Sequence, residues 1–287
     1  MKCSLFKTIE KRKRTMMTPR VAAIHDMSGF GRCSLTVAIP ILSAMGVQCC
    51  PLPTVALSTH TGFPNPERVS FSDAIPRYWN HYARLGVEFE GILTGYFAAP
   101  EQIAQAEALT ATELFMVDPI LGDHGKFYTG MGPAQAAGLR RLCAKADLVL
   151  PNLTEAAILT GREYTADHPE SRLKALTEAL LELGAKKVVL TGIPWSETEI
   201  GSFGFDGKTY FSCRHPRKPL SMPGTGDLFS AVTAASLLRG ENLADSAALA
   251  GDFVCACLAP VKESSPFGAE FENSLPFLTK SGPFRGN

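Results

Sequence analysis

Short apolar runs alternate with segments of helical periodicity from residue 20 to residue 191, and this alternation restricts the chain more than any other feature. The apolar runs fall at 20–25, 47–57, 91–96, 114–119, 147–152 and 187–191. Between them lie helical patterns near 35–45, 71–85, 100–109, 133–144, from Thr154 onward, and 170–183; Gly46, Gly86 and Gly184 stand where a helix-ending glycine is expected. Strands separated by helices form a parallel sheet covered on both faces, joined by right-handed crossovers. After residue 191 the pattern changes. Residues 199–214 alternate around Gly201, Gly204 and Asp206-Gly207, the signature of an antiparallel hairpin at a sheet edge. Two further helices are expected at 227–238 and 243–258. No repeat and no linker divides the chain, so the expectation is a three-layer α/β/α sandwich in one domain, residues 20–287.

The bulk properties exclude several classes of function. Lys+Arg and Asp+Glu balance at 28 each, so no net field favours a nucleic acid or an anionic membrane surface. No apolar run approaches the roughly 20 residues that span a bilayer. The eight cysteines form no CxxC pair and no zinc spacing with histidine, and they read as small core residues of a reducing compartment. Residues 1–19 carry Lys11-Arg12-Lys13-Arg14 without the apolar core of a secretory signal. They read as a disordered extension, or as sequence upstream of a start at Met16 or Met17. The expected address is the cytoplasm.

The chemistry concentrates in Pro223-Gly224-Thr225-Gly226-Asp227, followed by an apolar helix. Two glycines around a threonine allow a tight turn whose N–H groups converge at a helix N-terminus, which suits an anion such as phosphate. Asp227, in the first helical turn, is placed to take a proton from a hydroxyl. Ligands of open parallel sheets bind beyond the carboxyl ends of the strands. Asp26, His60, Thr61, Tyr96, Asp118, Asp123, Asn152, Glu155 and Thr191 all fall there. Asp123 and Glu155 suit magnesium, which takes one or two carboxylates alongside waters and phosphates. There is neither a Gly-x-x-x-x-Gly-Lys loop nor a Gly-x-Gly-x-x-Gly after the first strand, so a Walker nucleotidase and a dinucleotide oxidoreductase are both disfavoured. Cradle, carboxylates and base together meet the needs of phosphoryl transfer.

Gly224-Thr225-Gly226-Asp227 ahead of an apolar helix resembles the signature of the ribokinase-like small-molecule kinases. The stretches Ser58-Thr59-His60-Thr61-Gly62, Leu93-Thr94-Gly95-Tyr96, Asp118-Pro119-Ile120-Leu121-Gly122-Asp123 and Pro151-Asn152-Leu153-Thr154-Glu155 narrow the resemblance to pyridoxal kinases. The resemblance implies an ATP-dependent kinase acting on the 5′-hydroxymethyl group of pyridoxal, pyridoxine or pyridoxamine. It implies Asp227 as catalytic base and the amides of Gly224, Thr225 and Gly226 as anion hole. Asp123 and Glu155 then handle Mg2+, partly through water. Asp118, Asn152 and Thr191 lie toward the ATP phosphates and a monovalent cation such as potassium. Tyr128 is a phosphate contact in a loop that covers ATP, as is the hairpin near 199–214. His60, Thr61 and Tyr96 hold the pyridine ring. The family also implies a homodimer.

One stretch departs from the pattern. Where many members carry serine on the pyridine ring, this chain has Asp26, in a loop closer to that of the hydroxymethylpyrimidine kinases. An anionic Asp26 would accept from a ring N–H or phenolic OH, or favour the amine of pyridoxamine. The alternatives are therefore a hydroxymethylpyrimidine kinase and a vitamin- or nucleotide-binding regulator without chemistry. His60, Thr61 and Tyr96 supply too few carboxylates and amides for a sugar pocket.

Overall fold

The structure is a computed structural model and describes residues 18–279, apart from 112 and 166. The basic stretch of the N-terminal extension lies outside the described residues. Nine strands form one sheet in the order β11-β10-β9-β8-β5-β4-β1-β2-β3. Its centre is parallel: β1 (Arg20–Phe30) pairs with β2 (Gln48–Thr59) and β4 (Gly91–Thr94), and β5 (Leu114–Val117) links β4 to β8 (Leu148–Val149) and so to β9 (Val188–Pro194). The expected edge hairpin is β10 (Glu199–Phe205) with β11 (Tyr210–Pro216), antiparallel to each other and to β9.

Both faces are covered, as the near-continuous burial of β4 and β5 requires. On one face sit α1 (Leu35–Ala44), α7 (Thr225–Leu238) and α8 (Leu243–Leu258), enclosing Ile41, Leu42, Met116, Ala235 and Phe253. On the other sit α2 (Ala74–Arg84), α3 (Pro100–Ala106), α4 (Pro133–Cys143), α5 (Leu153–Thr160) and α6 (Glu170–Glu182), over Ile24, Ile92, Phe97, Leu139 and Leu176. A short helix, α9 (Leu275–Thr279), closes the described chain.

The structure corrects the sequence reading in three places. Residues 26–30 were expected as a loop but extend β1, with a register irregularity against β2 between His25 and Met27. A bulge of this kind re-aims side chains, and it falls where the polar residues begin. A three-residue edge strand, β3 (Arg68–Ser70), pairs with β2, and a two-residue hairpin forms from β6 (Gly122–Asp123) and β7 (Lys126–Phe127). Both are too short and too polar to carry a periodic signal.

Among the described residues, no helix is long and apolar enough to cross a membrane. Phe253, on the buried face of α8, is fully enclosed, so Phe253→Ala is expected to lower unfolding stability by about 3–5 kcal/mol. A shift of the urea midpoint at constant slope is the measurement; an unshifted midpoint contradicts this packing.

Candidate active site

The glycine bend opens α7 as the sequence suggests. Gly224 is the N-cap in the left-handed region (φ 81°), and a Cβ there would meet the Arg32 carbonyl oxygen at 1.9 Å. Only glycine fits both the dihedral and the close approach. The Thr225 hydroxyl folds back onto the Met222 carbonyl (3.3 Å), which leaves the first-turn N–H groups as the cradle's donors. Asp227 follows two residues later, in the first turn.

Both Asp227 oxygens are engaged. Oδ2 accepts the Ser34 backbone N–H (2.8 Å), and Oδ1 lies 2.9 Å from His25 Nε2. Ser34 is the N-cap of α1 and has φ 59°, a strained value for a residue with a side chain. Its hydroxyl donates to Asp26 Oδ1 (2.6 Å), so two carboxylates hold this residue in place. Asp26 was expected at the substrate ring. Instead it is 4% exposed, and its oxygens meet Ser34, the Ser28 hydroxyl (2.8 Å) and His25 Nδ1 (2.9 Å). Burial alone would raise its pKa, but these partners, His25 foremost, hold Asp26 below the usual carboxylate range.

His25 was not singled out from the sequence, yet it lies at the centre of this cluster. Its imidazole spans Asp26 and Asp227, and the Tyr96 N–H approaches Nδ1 at 3.2 Å. Burial would lower its pKa; the hydrogen bonds and charges of Asp227 and Asp26 outweigh that and raise it to about 10. Cys33, beside both carboxylates, is pushed up to about 12 by burial and then by their charge, which leaves it an inert thiol.

Across the site lies a second carboxylate group. Asp118, after β5, is raised to about 7 by burial and then by the charge of Asp227, with His25 and Ser230 partly offsetting. Glu155 is 3% exposed and spends its oxygens on backbone N–H groups of Asn152 (2.9 Å) and Leu121 (3.0 Å). With Asn152 Oδ1 accepting from the Glu155 N–H (2.9 Å), this is a capping box at the start of α5. Burial and then the Asp118 charge raise Glu155 well above its ordinary value. Asn152 Nδ2 donates to the Gly122 carbonyl (2.8 Å), and its backbone bridges Thr191, so the structure brings these two residues together. Asp123 is exposed on the small β6–β7 hairpin. Burial and the charges of Glu155, Asp123, Asp118 and Asp227 all raise the Tyr128 hydroxyl, so Tyr128 belongs to the same neighbourhood.

The ring-binding expectations divide. Tyr96 is buried against Val55 and Leu57, and its carbonyl accepts from the Thr54 hydroxyl (2.9 Å). His60 is buried as well. Its Nδ1 accepts the Gly62 N–H (3.1 Å) and its Nε2 donates to the Pro266 carbonyl (2.6 Å), which fixes the tautomer. The ring leans on Phe63 at 4.7 Å, and Phe63 stacks on Phe267 at 6.1 Å. The segment around 266–267 therefore packs on the His60 loop, a contact no periodicity could forecast. Thr61 lies half-buried in the turn just beyond.

The family model for phosphomethylpyrimidine kinase matches residues 85–272. The chain belongs to the phosphomethylpyrimidine kinase family. Within it, the pyridoxal kinases of ribokinase-like fold are the relatives it resembles. The crystal structure of pyridoxal kinase from Lactobacillus plantarum is 32% identical with a TM-score of 0.83, covering 92% of this chain and 97% of that one. A Bacteroides thetaiotaomicron protein, provisionally named phosphomethylpyrimidine kinase and crystallised with pyridoxal, is 33% identical with a TM-score of 0.87, covering 94% and 98%. A pyridoxal kinase from Pseudomonas savastanoi is 28% identical over 243 residues, 79% of this chain and 83% of the relative.

Because Gly224 combines a left-handed dihedral with backbone contact, Gly224→Ala is expected to cost about 1–3 kcal/mol of stability. Denaturant titration measures it, and a wild-type midpoint would show that the bend tolerates a side chain.

Proposed function

We infer that the chain transfers the γ-phosphoryl group of ATP to the 5′-hydroxymethyl group of pyridoxal, pyridoxine or pyridoxamine. The observation that carries this reading is the Asp227 carboxylate, fixed at both oxygens beside the Gly224 bend and within the electrostatic reach of Asp118. A binding regulator needs no such base. The relatives named pyridoxal kinase, and the neighbour crystallised with pyridoxal, support the vitamer as substrate.

In this reading the amides of Gly224, Thr225 and Gly226 take the transferring phosphoryl oxygens, where negative charge concentrates in the transition state. Asp227 accepts the alcohol proton as its oxygen bonds to the γ-phosphorus, and ADP leaves with the electron pair of the broken bond. His60, Thr61 and Tyr96 form the vitamer side, with Asp26 acting from behind rather than on the ring. Asp118, Asn152, Thr191 and Tyr128 form the ATP side.

Among the described residues, no three His, Cys, Asp or Glu side chains converge as a ready-made metal site. The donors present are hard carboxylate oxygens; burial first, and then the charge of a neighbouring carboxylate, raises the proton affinity of Asp118 and Glu155. These residues fit magnesium carried largely by the nucleotide. Asp123 would meet it, with Glu155 holding the Leu121–Gly122 turn behind. When bound, magnesium neutralises the phosphate charge. A potassium ion near Asp118 and Thr191, a homodimer, one kinase domain from residue 20 and a cytoplasmic location complete the proposal.

A second reading has a specific basis: the family model bears the phosphomethylpyrimidine name, and the Asp26 loop departs from the serine pattern. A coupled assay at fixed ATP and magnesium separates the two. ADP release is expected with pyridoxal, pyridoxine or pyridoxamine and not with hydroxymethylpyrimidine; the reverse preference would replace the assignment. Asp227→Asn is expected to lower kcat by about 10²- to 10⁴-fold with ATP binding near normal. Wild-type turnover in that variant would remove Asp227 from the base role.

A further inference from the structure

Three phenyl rings from separate parts of the chain meet beside the His60 loop. Phe30 ends β1, Phe63 follows His60, and Phe267 lies near the end of the described chain. The Phe30 centroid is 5.5 Å from that of Phe267 and 6.0 Å from that of Phe63, and Phe63 stacks on Phe267. Phe30 and Phe267 are nevertheless 54% and 48% exposed. Aromatic surface gathered in one place and left open to water marks a place for a ligand or a partner.

Residues 264–272 tie this cluster to the phosphate cradle. The Arg32 N–H donates to the Phe267 carbonyl (3.0 Å). A Cβ at Gly268 would meet the Arg32 carbonyl oxygen at 2.7 Å, and one at Gly224 would meet the same oxygen at 1.9 Å. A single carbonyl group therefore stands between this segment and the glycine bend. The Ser221 N–H donates to Ser264 Oγ (2.9 Å), and Arg32 Nε donates to both Glu272 oxygens (2.7 and 3.0 Å). His60 supplies the remaining tie. Its Nδ1 accepts from Gly62 and its Nε2 donates to the Pro266 carbonyl, so both ring nitrogens are already engaged. A Cβ at Gly31 would lie 2.6 Å from His60 Cδ2, and one at Gly62 would lie 2.8 Å from Cε1. The imidazole is wedged between two bare backbone positions and holds the residue that precedes Phe267.

We propose that Phe267 is the aromatic wall of the vitamer pocket, lying against the substrate's pyridine ring, and that His60 is the positioning residue that holds it there through the Pro266 carbonyl. This deepens the kinase reading and rests on it. The argument for a planar occupant is one of continuity. The reacting hydroxymethyl carbon is bonded directly to the pyridine ring, so a ring whose hydroxyl reaches the bend lies against the segments that border the bend. Residues 264–272 border it, and Phe267 is their exposed ring. Flat rings gain from offset-stacked or edge contacts with phenyl groups, the arrangement that Phe30, Phe63 and Phe267 already adopt among themselves.

The test is calorimetric titration of pyridoxal into the full chain without ATP, alongside steady-state kinetics. Phe267→Ala is expected to weaken pyridoxal binding about 3- to 30-fold, with kcat within about threefold and the KM for ATP within about twofold. Phe267→Tyr, which keeps the ring, should bind within about twofold of wild type. His60→Ala should weaken binding to a similar extent. Because both changes remove the same contact, the double variant should bind within about twofold of the weaker single variant. Unchanged affinity in Phe267→Ala overturns the proposal, and fully additive losses overturn the role of His60. If Phe267→Ala does not fold, Phe267→Trp decides. Its added indole emission, above that of Trp79 and Trp195, is expected to be quenched by pyridoxal, and unquenched emission overturns the proposal. A Phe267→Ala chain that loses self-association but binds pyridoxal as wild type does assigns the rings to a second copy and also overturns it. A wild type that binds no pyridoxal and releases no ADP fails the kinase reading as well, whereas a wild type that binds it no more tightly than Phe267→Ala fails this proposal alone.

Discussion

The grip on Asp227 is the constraint around which the site is organised. One oxygen takes the Ser34 N–H and the other faces His25, so the carboxylate cannot swing toward solvent without leaving two buried partners unpaired. Leaving a buried polar group unsatisfied costs about 1–3 kcal/mol. That cost makes the left-handed Ser34 backbone tolerable, since strain of this kind persists where surrounding contacts over-determine it. The carboxylate therefore ties together three elements, β1, α1 and α7, that are far apart in sequence.

The two faces of the sheet divide the work. The α1, α7 and α8 layer buries small side chains such as Ala231, Ala234, Ala235, Ala247 and Ala250, which lets helices approach closely behind the glycine bend. The opposite layer carries the Glu155 capping box, which joins the turn at Leu121–Gly122 to the start of α5. Glu155 is held by two backbone N–H groups, and Asp227 by the Ser34 N–H together with the His25 ring. Such preorganised dipoles need no rearrangement at the moment of reaction.

Most of the architecture was legible in the sequence because strand and helix periods differ and because glycines punctuate helix ends. The helix Leu243–Leu258 and the edge hairpin fall where the pattern puts them. The local motif at 223–227 forms the expected bend because its chemistry is backbone chemistry within five residues. What failed to read was long-range. Asp26 looked like a ligand in a loop, but β1 continues through it and turns it into a buried partner of His25, Ser28 and Ser34. His25 looked like the end of a strand, and its role appears only when residues 202 positions apart meet. The contact of Pro266 with His60 spans 206 positions and has no local signature either.

The central claim is that the Asp227 carboxylate stands at the reacting alcohol. A crystal structure with pyridoxal and a non-hydrolysable ATP analogue measures this most directly. The account predicts the 5′-hydroxyl oxygen within about 2.6–3.2 Å of an Asp227 oxygen, in line with the γ-phosphorus over the Gly224–Gly226 amides. A vitamer bound with that hydroxyl turned away from Asp227, and the phosphate held elsewhere, would contradict it.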